Sequence, residues 1–359
     1  MDYTIYGTVV VGDEIITDGA VAVENGRIVY SGKRESAPVI GEAVDYKDAL
    51  IVPGFIDIHC HAGGKYWCYE DPAAVAEHHL AHGTTSMCET LYRDMSIDDT
   101  VAAIARIREA MSECKNIIGV HLEGPYLNPK YGASVQDSEV VANPSEYMRL
   151  FEDGTVIHVS FAPEVKGTDE FLEVLKDKGV VPAIGHSMAS YEDVERVVKG
   201  GVKNVTHLFD ATGASISPTR WDGTIEVDFN AAVLLCDGLC YELICDEKGV
   251  HVRPEMVRLA AKTVGIDNLI GITDACTGTF DDTDINFLNG ELNGSKLTMD
   301  RVFRNFVNYG FSLPDAVKFT STNAARLMGL SDKGSLSVGM MADIVIMDKS
   351  YDIIKVYKA

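Results

Sequence analysis

Histidines and carboxylates in this chain fall at the ends of short apolar runs, where backbone geometry can bring distant residues together. His59-Cys60-His61 closes the run GFIDIHCH, and His121-Leu122-Glu123 closes NIIGVHLEG. His186 follows GVVPAIG, His207 lies within KNVTHLFDA, and Asp274 follows NLIGIT. Imidazoles and carboxylates hold ions such as Zn²⁺ or Fe²⁺, and a set of this kind leaves room for a water on the metal. Two positions apart on a strand, His59 and His61 point to the same side, as two ligands of one ion must. Singly, each residue has an ordinary explanation. An H-x-H can be incidental, Glu123 and Asp274 can cap turns, and His186 and His207 can be satisfied core histidines. Their joint occurrence at five strand ends predicts a catalytic metal site. His121 is placed to support Glu123, and His158, on an apolar strand, reads as core. His78, His79 and His82 lie on one amphipathic stretch and read as surface or packing residues.

The elements that must carry these groups alternate. Eight apolar, β-branched runs span Pro53 to Asp274: GFIDIHCH, GTTSMCETL, NIIGVHLEG, TVIHVSFAPE, GVVPAIGHS, KNVTHLFDA, CYELICDE and NLIGITDA. Between several of them lie stretches with apolar residues at three- and four-residue intervals, such as DDTVAAIARIREAMSECK, DEFLEVLKDKG, SYEDVERVVKGG and RPEMVRLAAKTVG. Strand and helix in alternation imply a parallel sheet, and eight units predict an α/β fold of the (β/α)8, TIM-like barrel type. A barrel gathers the carboxyl ends of its strands on one face, so the candidate ligands would share one cup. The doubly wound alternative wants a glycine-rich phosphate loop after the first strand, and HCHAGGKYW is not one. Alternating strand-like segments at both ends, with Asn25-Gly26 as a hairpin turn, predict a small β-sandwich domain built from both termini. The expected division is 1–52 plus 331–359 for that domain and 53–330 for the barrel.

Composition narrows the chemistry further. The 359 residues include 31 basic and 54 acidic ones, a net charge of −23 that repels polyphosphate and argues against nucleic-acid binding. Apolar runs stay short of the ~18 residues a membrane helix needs, and MDYTIYGTVVVGDE lacks a basic leader segment. No membrane association and a cytoplasmic location are therefore expected. The eight cysteines are scattered without a C-x-x-C pair, which fits buried free thiols better than a disulfide or zinc-ribbon framework. G-x-S-x-G is absent, and Cys60 faces away from its flanking histidines, so no side-chain nucleophile is indicated.

PGFIDIHCH, HLEGPYLNP, IGHS, THLFDA, ITDA and the tail STNAARLMGL…KGSLSVGMMADIVIMD resemble the amidohydrolase superfamily, and within it the N-acetylglucosamine-6-phosphate deacetylases. The resemblance covers almost the whole chain. It implies Glu123, His186 and His207 as principal metal ligands, and His59 and His61 as ligands of a second ion. It implies Asp274 as the carboxylate that moves protons. The implied cofactor is one or two divalent ions, Zn²⁺ first and Fe²⁺ next. The implied partner is a small N-acetylated substrate, bound by a homodimer. Ala133, Ser134, Asp210, Ala211, Arg220 and His251 match substrate-contacting positions, and Leu292-Asn293-Gly294 is a further approach to the ligand. The expected reaction is deacetylation of an N-acetylated amino sugar. The alternatives are another amide (an N-acyl amino acid, an isoaspartyl dipeptide or a cyclic amide) or a barrel that binds without catalysing. No lysine stands at a strand end for the carbamate bridge of many cyclic-amide hydrolases.

Three departures from the family pattern fall on recognition rather than on the ligands. Gly132-Ala133-Ser134 stands for the family's GAH, His207-Leu208-Phe209-Asp210-Ala211-Thr212 for HLFNAM, and Asp246-Glu247-Lys248-Gly249-Val250-His251 for the shorter D-G-x-H. A carboxylate at Asp210 facing a phosphate ~4 Å away, at an effective dielectric of ~20, would repel it by ~4 kcal/mol. The expectation is a shift away from the 6-phosphate.

Overall fold

In the computed structural model, residues 2–132, 139–213, 221–279, 281, 283–288 and 290–359 are described. The alternating segments at the two ends form one six-stranded sheet, in the order Ile353–Tyr357, Ile344–Met347, Glu42–Pro53, Tyr3–Val11, Glu14–Glu24, Arg27–Lys33. Antiparallel pairing of Ile344–Met347 with Glu42–Pro53 joins the C-terminal strands to the N-terminal ones. Asn25 and Gly26, with φ of 53° and 74°, supply the two left-handed residues of a tight hairpin turn. Ile5, Val9, Val21, Ile51, Ile344 and Ile346 form an apolar cluster of this sheet's own.

Between the two ends the chain makes an eight-stranded parallel barrel. Its strands, first to eighth, are Phe55–Cys60, Thr84–Tyr92, Ile117–Glu123, Val156–Phe161, Val181–Ile184, Asn204–Val205, Cys240–Ile244 and Leu269–Ile272, each beside the next. The ring closes where the Asp274 amide donates to His59 O and the His61 amide to Ala275 O, both at 2.9 Å. All eight runs read from the sequence become strands. The amphipathic stretches between them become helices Ile97–Ala110, Thr168–Asp177, Tyr191–Gly200 and Pro254–Val264. Local signals set their limits: Ser190 and Asp193 form a reciprocal capping box, and Gly201 closes the same helix at φ 116°. Ile58, Val120, Leu122, Val159 and Val205 of the strands share one large buried cluster with Ile107, Leu172, Leu175 and Val197 of the helices. Fully burying one such side chain contributes roughly 1.5–3 kcal/mol.

The barrel's interior is polar where the site needs it. Asp57, His59, His121, His158, Asn204 and Glu242 are all fully buried. The sixth strand is much shorter than its apolar run, because the chain leaves the sheet after Val205 into a turn. His186, His207 and Asp274 have φ of 45°, 27° and 45°, each just beyond the end of its strand. A left-handed conformation in a non-glycine residue costs on the order of 1–3 kcal/mol, so the rigid strands beneath must hold these turns in place. The turns aim the three side chains across the mouth instead of along the strand.

Candidate metal centre

Glu123 ends the third strand and stands between two groups of histidines. Its Oε1 lies 2.8 Å from His186 Nε2 and 2.9 Å from His207 Nε2, and those two nitrogens are 3.0 Å apart. On the other side, His59 Nε2 and His61 Nε2 are 3.2 Å apart, with Asp274 Oδ1 at 3.4 and 3.3 Å. Glu123 reaches this group too, with Oε2 at 3.2 Å from His61 and Oε1 at 3.5 Å from His59. The six residues form two triads of potential ligands, Glu123–His186–His207 and His59–His61–Asp274, and Glu123 also reaches the second. They are the six that the sequence nominated.

The donor set fits divalent ions. His186 Nδ1–H donates to Tyr131 O at 3.1 Å, and His207 Nδ1–H donates to Asp210 O at 3.2 Å. Each ring therefore turns its Nε2 towards Glu123, and in the neutral form that nitrogen carries the lone pair a metal ligand needs. Burial opposes charge on His61 and His207, yet Asp274 and Glu123 beside the first, and Glu123 beside the second, push both rings up to about 10. Burial likewise works against an ionised Glu123, but His186 and His59 outweigh it and hold the carboxyl well below the usual range. The pocket thus draws positive charge. Protons are a poor way to provide it, because His59 and His61, both raised by the carboxylates around them, cannot both carry a proton on Nε2 atoms that face each other at 3.2 Å. A single cation satisfies both nitrogens and the carboxylate together.

Beneath the ligands lies a supporting layer that the sequence reading missed. Glu242, in the seventh strand and fully buried, accepts from His59 Nδ1–H at 3.1 Å. The signal was present: it is the charged residue inside the apolar run CYELIC. His121 packs edge-on against His59, with ring centroids 4.5 Å apart, and bonds Thr90 and Ser160. It supports His59 from below, where the sequence had suggested support for Glu123. His158 stacks on His121 at 4.2 Å, and burial lowers it to about 4, so it is a neutral core residue as expected. Cys60 points out of the barrel to His79 Nε2, 3.1 Å away, which makes His79 a buried packing residue.

A cavity of about 620 Å³ opens over the two triads. Trp67, Tyr92, Leu127, Leu288 and Leu292 give it apolar wall, while Arg93, Asp94, Asp210 and Glu291 bring charge to the rim. Arg93 Nη1 donates to Asn128 O and Tyr131 O, both at 3.1 Å, tying the segment that positions His186. Among the nominated substrate positions, Asp210 and Ala211 line the cavity, and Asp210 Oδ1 accepts the Ala211 amide at 2.7 Å. Leu292, Asn293 and Gly294 line it as well. At Gly294 a Cβ would come within 2.4 Å of Asp274 O, so only glycine lets this segment close on Asp274. His251 stands behind that segment. Its Nδ1 faces Asp246 Oδ2 and its Nε2–H donates to Gly294 O, both at 2.9 Å, so both ring nitrogens are engaged with protein. Ala133, Ser134 and Arg220 lie outside the described residues.

The model of the amidohydrolase family matches residues 50–359. The chain is similar to N-acetylglucosamine-6-phosphate deacetylase of Bacillus subtilis (strain 168), at 29% identity over 96% of this chain and 93% of that one. The same-named protein of Danio rerio is 28% identical over 88% and 85%. Among solved structures it is similar to a variant of the Mycobacterium smegmatis N-acetyl-D-glucosamine-6-phosphate deacetylase in complex with N-acetyl-D-glucosamine-6-phosphate. That match has 28% identity, covers 99% and 98% of the two chains, and has a TM-score of 0.87. The Pasteurella multocida deacetylase, 23% identical with a TM-score of 0.87, shares the fold.

Proposed function

We propose that this chain, which belongs to the amidohydrolase family, hydrolyses the acetamido group of an N-acetylated amino sugar. The observation that carries this reading is the pair of Nε2 atoms of His186 and His207, 3.0 Å apart and both turned on Glu123 Oε1. That arrangement suits a divalent ion bound by Glu123, His186 and His207, with His59, His61 and Asp274 as holders of a second. Zn²⁺ is the first choice and Fe²⁺ the next, since both accept these ligands. Bound ions supply Lewis acidity and a water acidified towards neutrality.

The remaining chemistry belongs to the protein. Asp274, at the cavity floor, accepts the proton of the attacking water and returns it to the departing nitrogen. The second transfer is essential because an amide anion is too poor a leaving group. Asp274 suits the first role: burial opposes its charge, but His59 and His61 keep its carboxyl below the ordinary value and so ionised. Trp67 and Tyr92, ring centroids 5.9 Å apart, offer apolar surface to a sugar ring. The B. subtilis and M. smegmatis relatives support the acetamido sugar as the substrate class. The same reading includes a small β domain of residues 1–52 and 331–359 on a catalytic barrel of 53–330, a homodimer, and action in the cytoplasm. Among the described residues no helix is long and apolar enough to cross a membrane.

The test is a screen of the zinc-loaded protein for acetate release from N-acetylated hexosamines, each with and without a 6-phosphate. Release from at least one of them supports the proposal, and release from none with both ions bound refutes it.

A further inference from the structure

We infer that Glu242 is a positioning residue that makes the His59–His61–Asp274 triad able to hold its ion. The inference rests on the metal-centre reading above, but its test reads metal content and not turnover.

The two triads are supported differently. In the Glu123–His186–His207 triad each imidazole gives its Nδ1–H to a backbone carbonyl, of Tyr131 and Asp210 respectively. In the other triad, His61 Nδ1 is buried with no hydrogen-bond partner among the described residues. Its ring is placed by packing on His59 and Tyr92 and by Glu123 and Asp274 at Nε2, with no hydrogen bond behind it among the described residues. His59 is the imidazole of this triad that is held from behind, and Glu242 holds it. Glu242 Oε2 takes the Nδ1–H at 3.1 Å, which leaves the Nε2 lone pair facing His61 and Asp274. A carboxylate behind a ligating histidine also makes the ring a stronger donor to the metal.

Glu242 is itself held. Its Oε1 accepts from Asn204 Nδ2 at 2.5 Å, and both residues are fully buried. Its backbone carbonyl accepts the Leu208 amide at 2.8 Å, and its Oε2 lies 3.4 Å from the His207 amide. The side chain orients His59 and adds a long bond to the His207 amide, while the backbone carbonyl holds the same turn through Leu208. A side-chain substitution should therefore weaken the His59 triad most, because the His207 turn keeps its shorter backbone bond. A buried carboxylate is costly, so its retention beneath a ligand, in an otherwise apolar strand, calls for a role of this kind.

The test uses the full chain as wild type, Glu242→Gln and Glu242→Leu, equilibrated over a graded series of buffered free Zn²⁺. Zinc per chain is read by elemental mass spectrometry. Wild type should fill in two steps. In Glu242→Leu the weaker step should move to about 10–100-fold higher free Zn²⁺, the usual consequence of losing such a partner, while the tighter step moves less than threefold. Glu242→Gln can still accept from Nδ1–H through its amide oxygen and should fall between the two. If Glu242→Leu does not fold, a shift of the weaker step in Glu242→Gln alone still supports the inference. A wild type that takes up only one zinc overturns it, as does a weaker step unmoved within threefold in every variant that folds. Absence of acetate release with both zincs bound would count against the proposed function and leave this result standing.

Discussion

The floor of the site and its rim are built from different material. On the floor, six ligand candidates come from the ends of five barrel strands, five of them buried and His186 with its side chain 12% exposed, and neighbouring ligand atoms lie 2.8–3.5 Å apart. Parallel strands fix those positions, so the geometry follows once the barrel closes. The rim stands on connecting segments: Trp67 from a short hairpin, Arg93 and Asp94 after the second strand, Asp210 and Ala211 in a left-handed turn, and Glu291 on a strand pair outside the barrel. Asp210, one of the positions at which the sequence differs from the family motif, stands on it. If the floor carries the reaction and the rim the choice of substrate, substitutions in the two regions should fail in different ways.

The largest effect is expected on the floor. Glu123→Ala, His186→Ala or His207→Ala removes a ligand from the better-supported triad, and each should release its zinc and abolish acetate release while the circular dichroism spectrum stays that of the folded barrel. Substantial turnover with full zinc retained in any of them would break the contrast. Next comes Asp274→Asn, which keeps the shape but removes the proton acceptor. Its kcat should fall by about 10²–10⁴, the range of general acid–base catalysis, with the ion of the Glu123 triad still bound. A variant within tenfold of wild type would mean that another group moves the proton. The neighbours offer no ready substitute, since His121 is bonded to Thr90 and Ser160, and Asp246 is bonded to His251.

A smaller effect is expected from His59→Ala, which should lower zinc content from two to one per chain and reduce kcat by less than Asp274→Asn does. Loss of both ions would show that the triads are not separable. The smallest effect belongs to the rim. Asp210→Asn removes one negative charge from the cavity wall and leaves the Asp210 carbonyl that orients His207. Zinc content and kcat should hold, while the ratio of kcat/KM for the 6-phosphate over the neutral sugar should rise by at least about tenfold, with about 10³ the ceiling set by ~4 kcal/mol of repulsion. A ratio that falls, in a wild type already favouring the 6-phosphate by a hundredfold, would contradict the reading of Asp210 as an obstacle to anions.

How much of this was legible in the sequence follows the same division. The eight strands were readable because each is a short β-branched run ending in polar residues, and His59, His61, Glu123, His186, His207 and Asp274 stood out at those ends. Glu242 was not singled out, because a lone carboxylate in a strand acquires meaning only when the fold sets His59 across from it. The left-handed turns at His186, His207 and Asp274 were also hidden, since none is a glycine and the strain is held by tertiary packing. On the rim, Trp67 and Tyr92 meet only after the hairpin that carries Trp67 folds back over the end of the second strand. His251 shows the reverse case: motif similarity placed it at the substrate, whereas its ring spans Asp246 and Gly294.

A floor that hydrolyses amides through bound metal should show itself in acetate release measured on one preparation in three states. These are zinc-loaded, stripped with a chelator, and reloaded, each assayed with N-acetylglucosamine and its 6-phosphate. Acetate is expected from at least one of the two sugars, with loss of release on stripping and recovery on reloading in proportion to zinc bound. Release that persists unchanged in the stripped protein, or its absence from both sugars with two zincs per chain, would contradict this expectation.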